Sequence, residues 1–180
     1  MKTLGIFRHA KSDWNDARLR DFDRPLNSRG RKGAAIMGRH IREHGLVWNK
    51  VLASPAVRVT QTIELAGEAA TAMPPITWDR RIYLANSATL IDILRDQDHD
   101  PASIILVGHN PGLEDLIFDL VPDDGSPLRD IVEDKFPTAA YAVLELAIDD
   151  WQDLRDGCGK LVHLVRPRDL DPALGPGAAD

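Results

Sequence analysis

A single cysteine, Cys158, leaves no partner for an internal disulfide and no thiolate cluster for a structural zinc. A reducing, cytoplasmic setting is the expectation. Long apolar runs are missing as well, and none approaches the roughly 20 residues of a membrane span. Only about five apolar residues precede Arg8, short of the ~7–15 of a signal-peptide core. Aromatic residues are few and are not interleaved with cations, which argues against a nucleic-acid surface. Glutamate is absent between Glu68 and Glu114, a gap that bears on proton donation below.

What is present is charge, unevenly placed. Residues 1–42 hold 11 Lys and Arg against 4 Asp, and the remainder holds 11 basic against 24 acidic residues. The whole chain is acidic, at −6, with a basic N-terminal quarter. Such a local positive field steers a small anion or an anionic group on a partner. Arg29, Arg31, Lys32, Arg39 and Arg42 are equally well read as the solvated face of a helix.

Strand and helix signals alternate along the 180 residues. Residues 3–8 read as a buried strand, and Asn27 or Ser28 caps a helix that runs to about His44 and stops at Gly45. Residues 50–54 are a second short strand, and Pro55 stands where a helix begins and runs to about Ala70. Residues 74–78 suggest a short strand, and Ser87 caps a helix with Leu90, Ile91 and Leu94 on one face. Residues 103–109 are the most apolar strand, and Pro111 opens a helix bearing Leu113, Leu116, Ile117 and Leu120. Residues 121–137 read as loop with about one turn of helix, 139–146 and 160–165 as a late hairpin, and 166–180 as a loose tail. The expectation is one domain over 1–165: an α/β fold, a three-layer α/β/α sandwich with a mainly parallel sheet.

Sites in such sheets form beyond the carboxyl ends of the strands. Arg8 and His9 end the first strand, His109 ends the most apolar one, and Arg58 lies in the first turn of the helix after residues 50–54. Two imidazoles and two guanidiniums fit a phosphoryl group. Arginine matches its oxygens bidentately and stays charged. A neutral imidazole can attack phosphorus, and a second can hold the oxygens as charge redistributes. Helix N-termini after Ser54 and Asn110 add N–H groups aimed at an anion. Taken singly, each of these residues is also readable as a strand-end histidine or a surface arginine.

The segments "FRHAKSDWN", "RPLNSRG", "LASPAVRVTQT" and "ILVGHNPG" together resemble the histidine phosphatase superfamily, the phosphoglycerate mutase-like fold, over residues 3 to about 165. The wording of "RHAKSDW" and "RPLNSRG" is most similar to the small SixA-like phosphohistidine phosphatases. The resemblance implies His9 as the nucleophile, with Arg8, Arg58 and His109 as the rest of the phosphate pocket. It also implies substrate-side positions for Asn15, Arg24 and Asn110. It implies no metal and no cofactor. The substrate would be a phosphorylated protein, such as a histidine phosphotransfer domain, or a small phosphorylated metabolite. Nucleic acid and membrane are not expected partners. A phosphate-binding module without turnover is the reading from another class, and the intact Arg8, His9, Arg58 and His109 weigh against it.

The chain departs from the family pattern. Ala10 replaces the signature glycine, Asn110 stands where the acid-phosphatase branch has an aspartate, and the mutase-type glutamate falls in the gap. Asp79 is the nearest carboxylate in that region. An alkoxide leaving group needs a proton donor. A phosphohistidine ring can instead be protonated on its other nitrogen and leave as neutral imidazole. The missing acid therefore favours phosphohistidine on a signalling protein over an alkyl ester. "HIREH", residues 40–44, matches the H-x-x-E-H protease pattern, but it sits at a helix end where histidine suits the dipole and no partner motif follows, so it is not read as a zinc site.

Overall fold

The structure, a computed structural model, describes residues 1–176. Six strands form one sheet: β1 (Lys2–Arg8), β2 (Lys50–Ala53), β3 (Ile76–Trp78), β4 (Ser103–Gly108), β5 (Tyr141–Leu146) and β6 (Gly159–Val165). Their spatial order is β3-β2-β4-β1-β5-β6. β1, β2, β3 and β4 run parallel, and β5 is antiparallel to both β1 and β6, so one strand of the six is reversed. This is the mainly parallel α/β sheet that the alternating pattern predicts.

The two faces carry separate cores because successive side chains in a strand point to opposite sides. Leu4, Ile6, Ile104 and Leu106 pack with α3 (Ser87–Arg95) and α4 (Gly112–Leu120). Phe7, Ile105 and Val107 pack with α1 (Ser28–His44) and α2 (Val57–Gly67). Asn27 caps α1 through Gly30 N–H, and Gly45, at φ 82°, ends it in the left-handed conformation that glycine takes at low cost. A Cβ on Gly30 would lie 2.0 Å from the Lys11 carbonyl oxygen, so the start of α1 rests directly on the chain leaving β1.

Three expectations are corrected. α2 starts at Val57, two residues past Pro55, and ends at Gly67. Residues 121–137 hold a full helix, α5 (Pro127–Asp134), with Pro127 in its first turn and Val132 buried. The turn-rich sequence before it masked a short amphipathic run. The tail is docked through residue 176: α6 (Pro167–Leu170) lies against α1, a turn at Pro172–Leu174 packs on α6, Pro167 is buried, and the Arg29 guanidinium donates to the Gly175 carbonyl. The last four residues of the expected tail lie outside the described residues. Among the described residues no helix is long and apolar enough to cross a membrane.

Candidate active site

β1 and β4 are neighbours in parallel register, with Arg8 opposite Gly108, and His9 N–H donates to the Gly108 carbonyl at 3.1 Å. The next residue on each strand is therefore a histidine at the same level. The two rings, both buried, have centroids 5.3 Å apart. Alignment of two strand ends, unrelated in sequence position, makes the site.

His9 Nδ1 lies 2.7 Å from the Ala10 carbonyl oxygen. A carbonyl only accepts, so Nδ1 carries the proton and Nε2 keeps its lone pair. Burial first, then the charges of Arg8 and Arg58, push the His9 pKa down to about 3 against the pull of the Ala10 hydrogen bond and Asp21. His9 is thus neutral at pH 7. His109 is likewise pushed to about 3, by burial first and then by His9 and Arg58. Its Nε2 is 2.8 Å from Ser54 Oγ, and its Nδ1 is buried with no hydrogen-bond partner among the described residues.

α2 supplies Arg58 and, one turn on, Thr62. Thr62 Oγ1 accepts from Ala10 N–H at 2.9 Å and donates to the Arg58 carbonyl, which ties the end of β1 to the first turn of α2. The Arg58 guanidinium is buried and grips Asp21, through its carbonyl at 2.7 Å and Oδ2 at 3.0 Å. Tyr83 packs edge-on against His109 and donates its hydroxyl to the same Asp21 Oδ2 at 2.5 Å. Burial raises the Asp21 carboxyl, but the bonds from Tyr83 and Arg58 outweigh it and hold it below the usual range. Arg8 donates through Nη1 to the Phe136 carbonyl at 3.1 Å, and its Nε is buried without a partner among the described residues.

The structure brings Arg8, His9, Arg58 and His109 together. The other three expected residues are engaged elsewhere. Asn15 is exposed, and its backbone N–H binds Asp13. Arg24 is buried, donates to the carbonyls of Asp16 and Leu19, and stacks 4.0 Å over Trp14, so it braces the loop before α1. Asn110 donates to the Phe136 carbonyl at 2.8 Å and accepts from Glu114 N–H, which sets the same carbonyl that Arg8 uses.

Asp79 is not poised to give a proton. It caps the turn before Tyr83 and is bound by Arg81, which holds its carboxyl low. Sequence reasoning missed Asp21, one aspartate among many in a charged loop, and Tyr83, a lone aromatic beside a turn. It also passed over Glu114, whose carboxyl is raised by burial and by Asp115 against the charge of Arg8. Beside Arg8 opens a cleft of about 300 Å³ whose lining includes Lys11, Arg29, Lys135 and Arg168. Arg8, Lys11 and Arg29 bring cations of the basic N-terminal quarter to this cleft.

A parallel α/β sheet with two histidines and two arginines at its carboxyl edge defines the class, and known proteins place the chain within it. The sequence profile of the histidine phosphatase superfamily (branch 1) matches residues 4–82. The uncharacterized protein Rv1276c of Mycobacterium tuberculosis is 33% identical over 163 residues, covering 89% of this chain and 99% of that one. A structure named as a candidate phosphohistidine phosphatase SixA from Nakamurella multipartita superposes with a TM-score of 0.80 at 25% identity, over 92% of this chain and 96% of its own. Its counterpart from Agrobacterium tumefaciens gives 0.78 at 28%, over 92% and 98%. The chain belongs to the histidine phosphatase superfamily. Within that superfamily of phosphatases it stands in the SixA-like branch.

Proposed function

We propose that the protein hydrolyses phosphohistidine on a partner protein through a covalent phosphoryl-His9 intermediate. The observation that carries this reading is the 2.7 Å contact of His9 Nδ1 with the Ala10 carbonyl: it commits Nδ1 as donor and leaves Nε2 a nucleophile beside three groups able to bind phosphoryl oxygens. The buried Arg8 Nε and His109 Nδ1 lack partners among the described residues, and an oxyanion would supply them. For His109 to donate from Nδ1, Ser54 must donate to Nε2, so an anion in the pocket selects that tautomer.

The Nε2 lone pair attacks phosphorus. A bond from phosphorus to His9 forms while the bond to the substrate imidazole breaks. That imidazole, protonated from the solvent on its other nitrogen, leaves neutral, and the dihydrogen phosphate formed in the second step returns a proton to the solvent. Water then attacks the phosphoryl group, the electron pair of the breaking P–N bond returns to Nε2, and the water proton passes to the released phosphate. Arg8, Arg58 and His109 hold the oxygens through both steps. Arg58 exchanges its bond to Asp21 for the anion as the substrate enters.

Two further observations support this substrate class. The Asp79 carboxylate, the nearest one in the glutamate-free stretch, is locked to Arg81 and not free to protonate an alkyl leaving group. The cationic cleft beside Arg8 suits an acidic protein surface. The SixA names of the two structural relatives point the same way. The test is phosphate release from a phosphohistidine-bearing phosphotransfer protein. Release by wild type and not by His9→Ala is expected. No release by wild type, with turnover of a small aryl phosphate intact, would overturn the substrate class and leave the chemistry.

A further inference from the structure

The phosphate pocket gives no use to the H-x-x-E-H stretch at the end of α1. His40 and His44 are one turn apart and so share a face of the helix. A third histidine reaches that face from the sheet: His163, on β6, separated by 119 residues of chain. One candidate ligand nitrogen from each of the three lies within 4.8 Å of the other two. His40 Nε2 and His163 Nε2 are 2.9 Å apart, and the His44 and His163 rings stack at 3.9 Å. Tyr141, wholly buried, packs edge-on beneath His40 and His163.

We propose that His40, His44 and His163 form a binding site for a transition-metal dication of the zinc type, which clamps the end of α1 to β6.

The spacing fits such an ion. Tetrahedral zinc with bonds of about 2.0–2.1 Å holds its nitrogens about 3.3–3.4 Å apart. Ligand atoms within 4.8 Å of one another are in range of that arrangement, and the three rings, stacked within 26° of parallel in the free protein, splay apart to aim their lone pairs at one ion. Ligation needs neutral imidazoles. The contact between His40 Nε2 and His163 Nε2 needs one of the two nitrogens to accept, so at least one of these rings already carries a free lone pair. An all-imidazole set suits zinc, copper or nickel, and not the hard cations that prefer oxygen ligands. His44 is the last residue of α1, so a bound dication also sits at the negative end of the helix dipole. His44 is exposed, which leaves a fourth position for water.

This is not the protease reading of the motif. Glu43, the residue that would act as base there, is turned to Arg39 at 2.9 Å. Nor is it the phosphate pocket. Gly30, at the other end of α1, rests on Lys11 beside His9, and His44 lies 14 residues further along the helix. At 1.5 Å per residue that is about 20 Å. The clamp therefore acts on stability, and turnover does not depend on it.

The test adds zinc chloride to the chelator-stripped full chain and follows binding by calorimetry and unfolding by a thermal scan. One zinc per chain is expected, with Tm raised about 5–10 °C at a free zinc concentration near 100 Kd. His44→Gln and His163→Gln should each weaken zinc binding at least tenfold and remove the Tm rise. Both should keep wild-type circular dichroism and aryl-phosphate turnover, which excludes misfolding as the cause. His9→Ala should bind zinc as wild type does. Wild type that binds no zinc, variants that bind it unchanged, or loss of binding in His9→Ala would each overturn the proposal.

Discussion

His9 and His109 stand at the same level of two adjacent parallel strands, with ring centroids 5.3 Å apart. That register lets one ring attack while the other steadies the developing charge. His109→Ala should then lose about 10²–10³ in kcat, the usual cost of removing one oxyanion donor, with a smaller change in KM. Steady-state kinetics on an aryl phosphate decide it, and an unchanged kcat would remove His109 from the chemistry.

Asp21 holds Arg58 in the free protein. Its charge opposes any anion that needs the same guanidinium. Asp21→Asn should therefore tighten inhibition by inorganic phosphate, by about three- to tenfold for one charge removed near the pocket at intermediate dielectric. A weaker phosphate inhibition in the variant would mean that Asp21 serves to position Arg58 and does not compete with the anion.

The main lines of this site were legible in the chain because they are set by strand ends. Continuous apolar runs mark β1 and β4, and Arg8-His9 and His109 follow them directly. Parallel strand pairing does the rest. What was not legible depends on loops. Asp21, Asn15 and Arg24 share one charged segment whose backbone path, and not its composition, decides which side chain turns inward. The docked residues 166–176 were hidden for a related reason: a Pro-rich stretch with few apolar residues gives no period, yet Pro167 finds a place against α1. His163 carried no signal at all, since only the antiparallel pairing of β6 with β5 brings it near α1.

Leaving-group basicity should govern rate. With Asp79 bound to Arg81, an alkyl phosphate lacks a proton donor and should bear a loss of about 10²–10⁴ in kcat relative to phosphohistidine or an aryl phosphate. Phosphate binding should differ little, since Arg8, Arg58 and His109 meet only the shared oxygens. Comparable kcat for the alkyl ester would assign the acid to another carboxylate, with Glu114 and Asp21 the ones to mutate.

Acid should destabilise the fold early. His9 and His109 are held neutral with pKa values near 3, whereas in the unfolded chain histidine titrates near 6.5. Below about pH 6.5 the unfolded state binds protons that the native state refuses, so stability falls as pH drops from about 6.5 towards 3. Urea midpoints at pH 8, 6 and 4.5 should decline in that order. His109→Gln should flatten the decline, and an unaltered slope would place the acid sensitivity elsewhere.

Turnover should survive exhaustive chelation, because the pocket's positive charge comes from Arg8 and Arg58. Loss of activity on chelation, restored by one divalent ion, would require a metal in the reaction itself.

The central claim is that phosphorus is transferred to His9. Wild-type protein mixed with a 32P-labelled phosphohistidine protein, and quenched in alkali within milliseconds, should carry base-stable, acid-labile label on the peptide containing His9. His9→Ala, folded as wild type by circular dichroism, should carry none and release no phosphate. Turnover by wild type with no label trapped at any quench time, together with turnover by His9→Ala at the wild-type rate, would contradict the account.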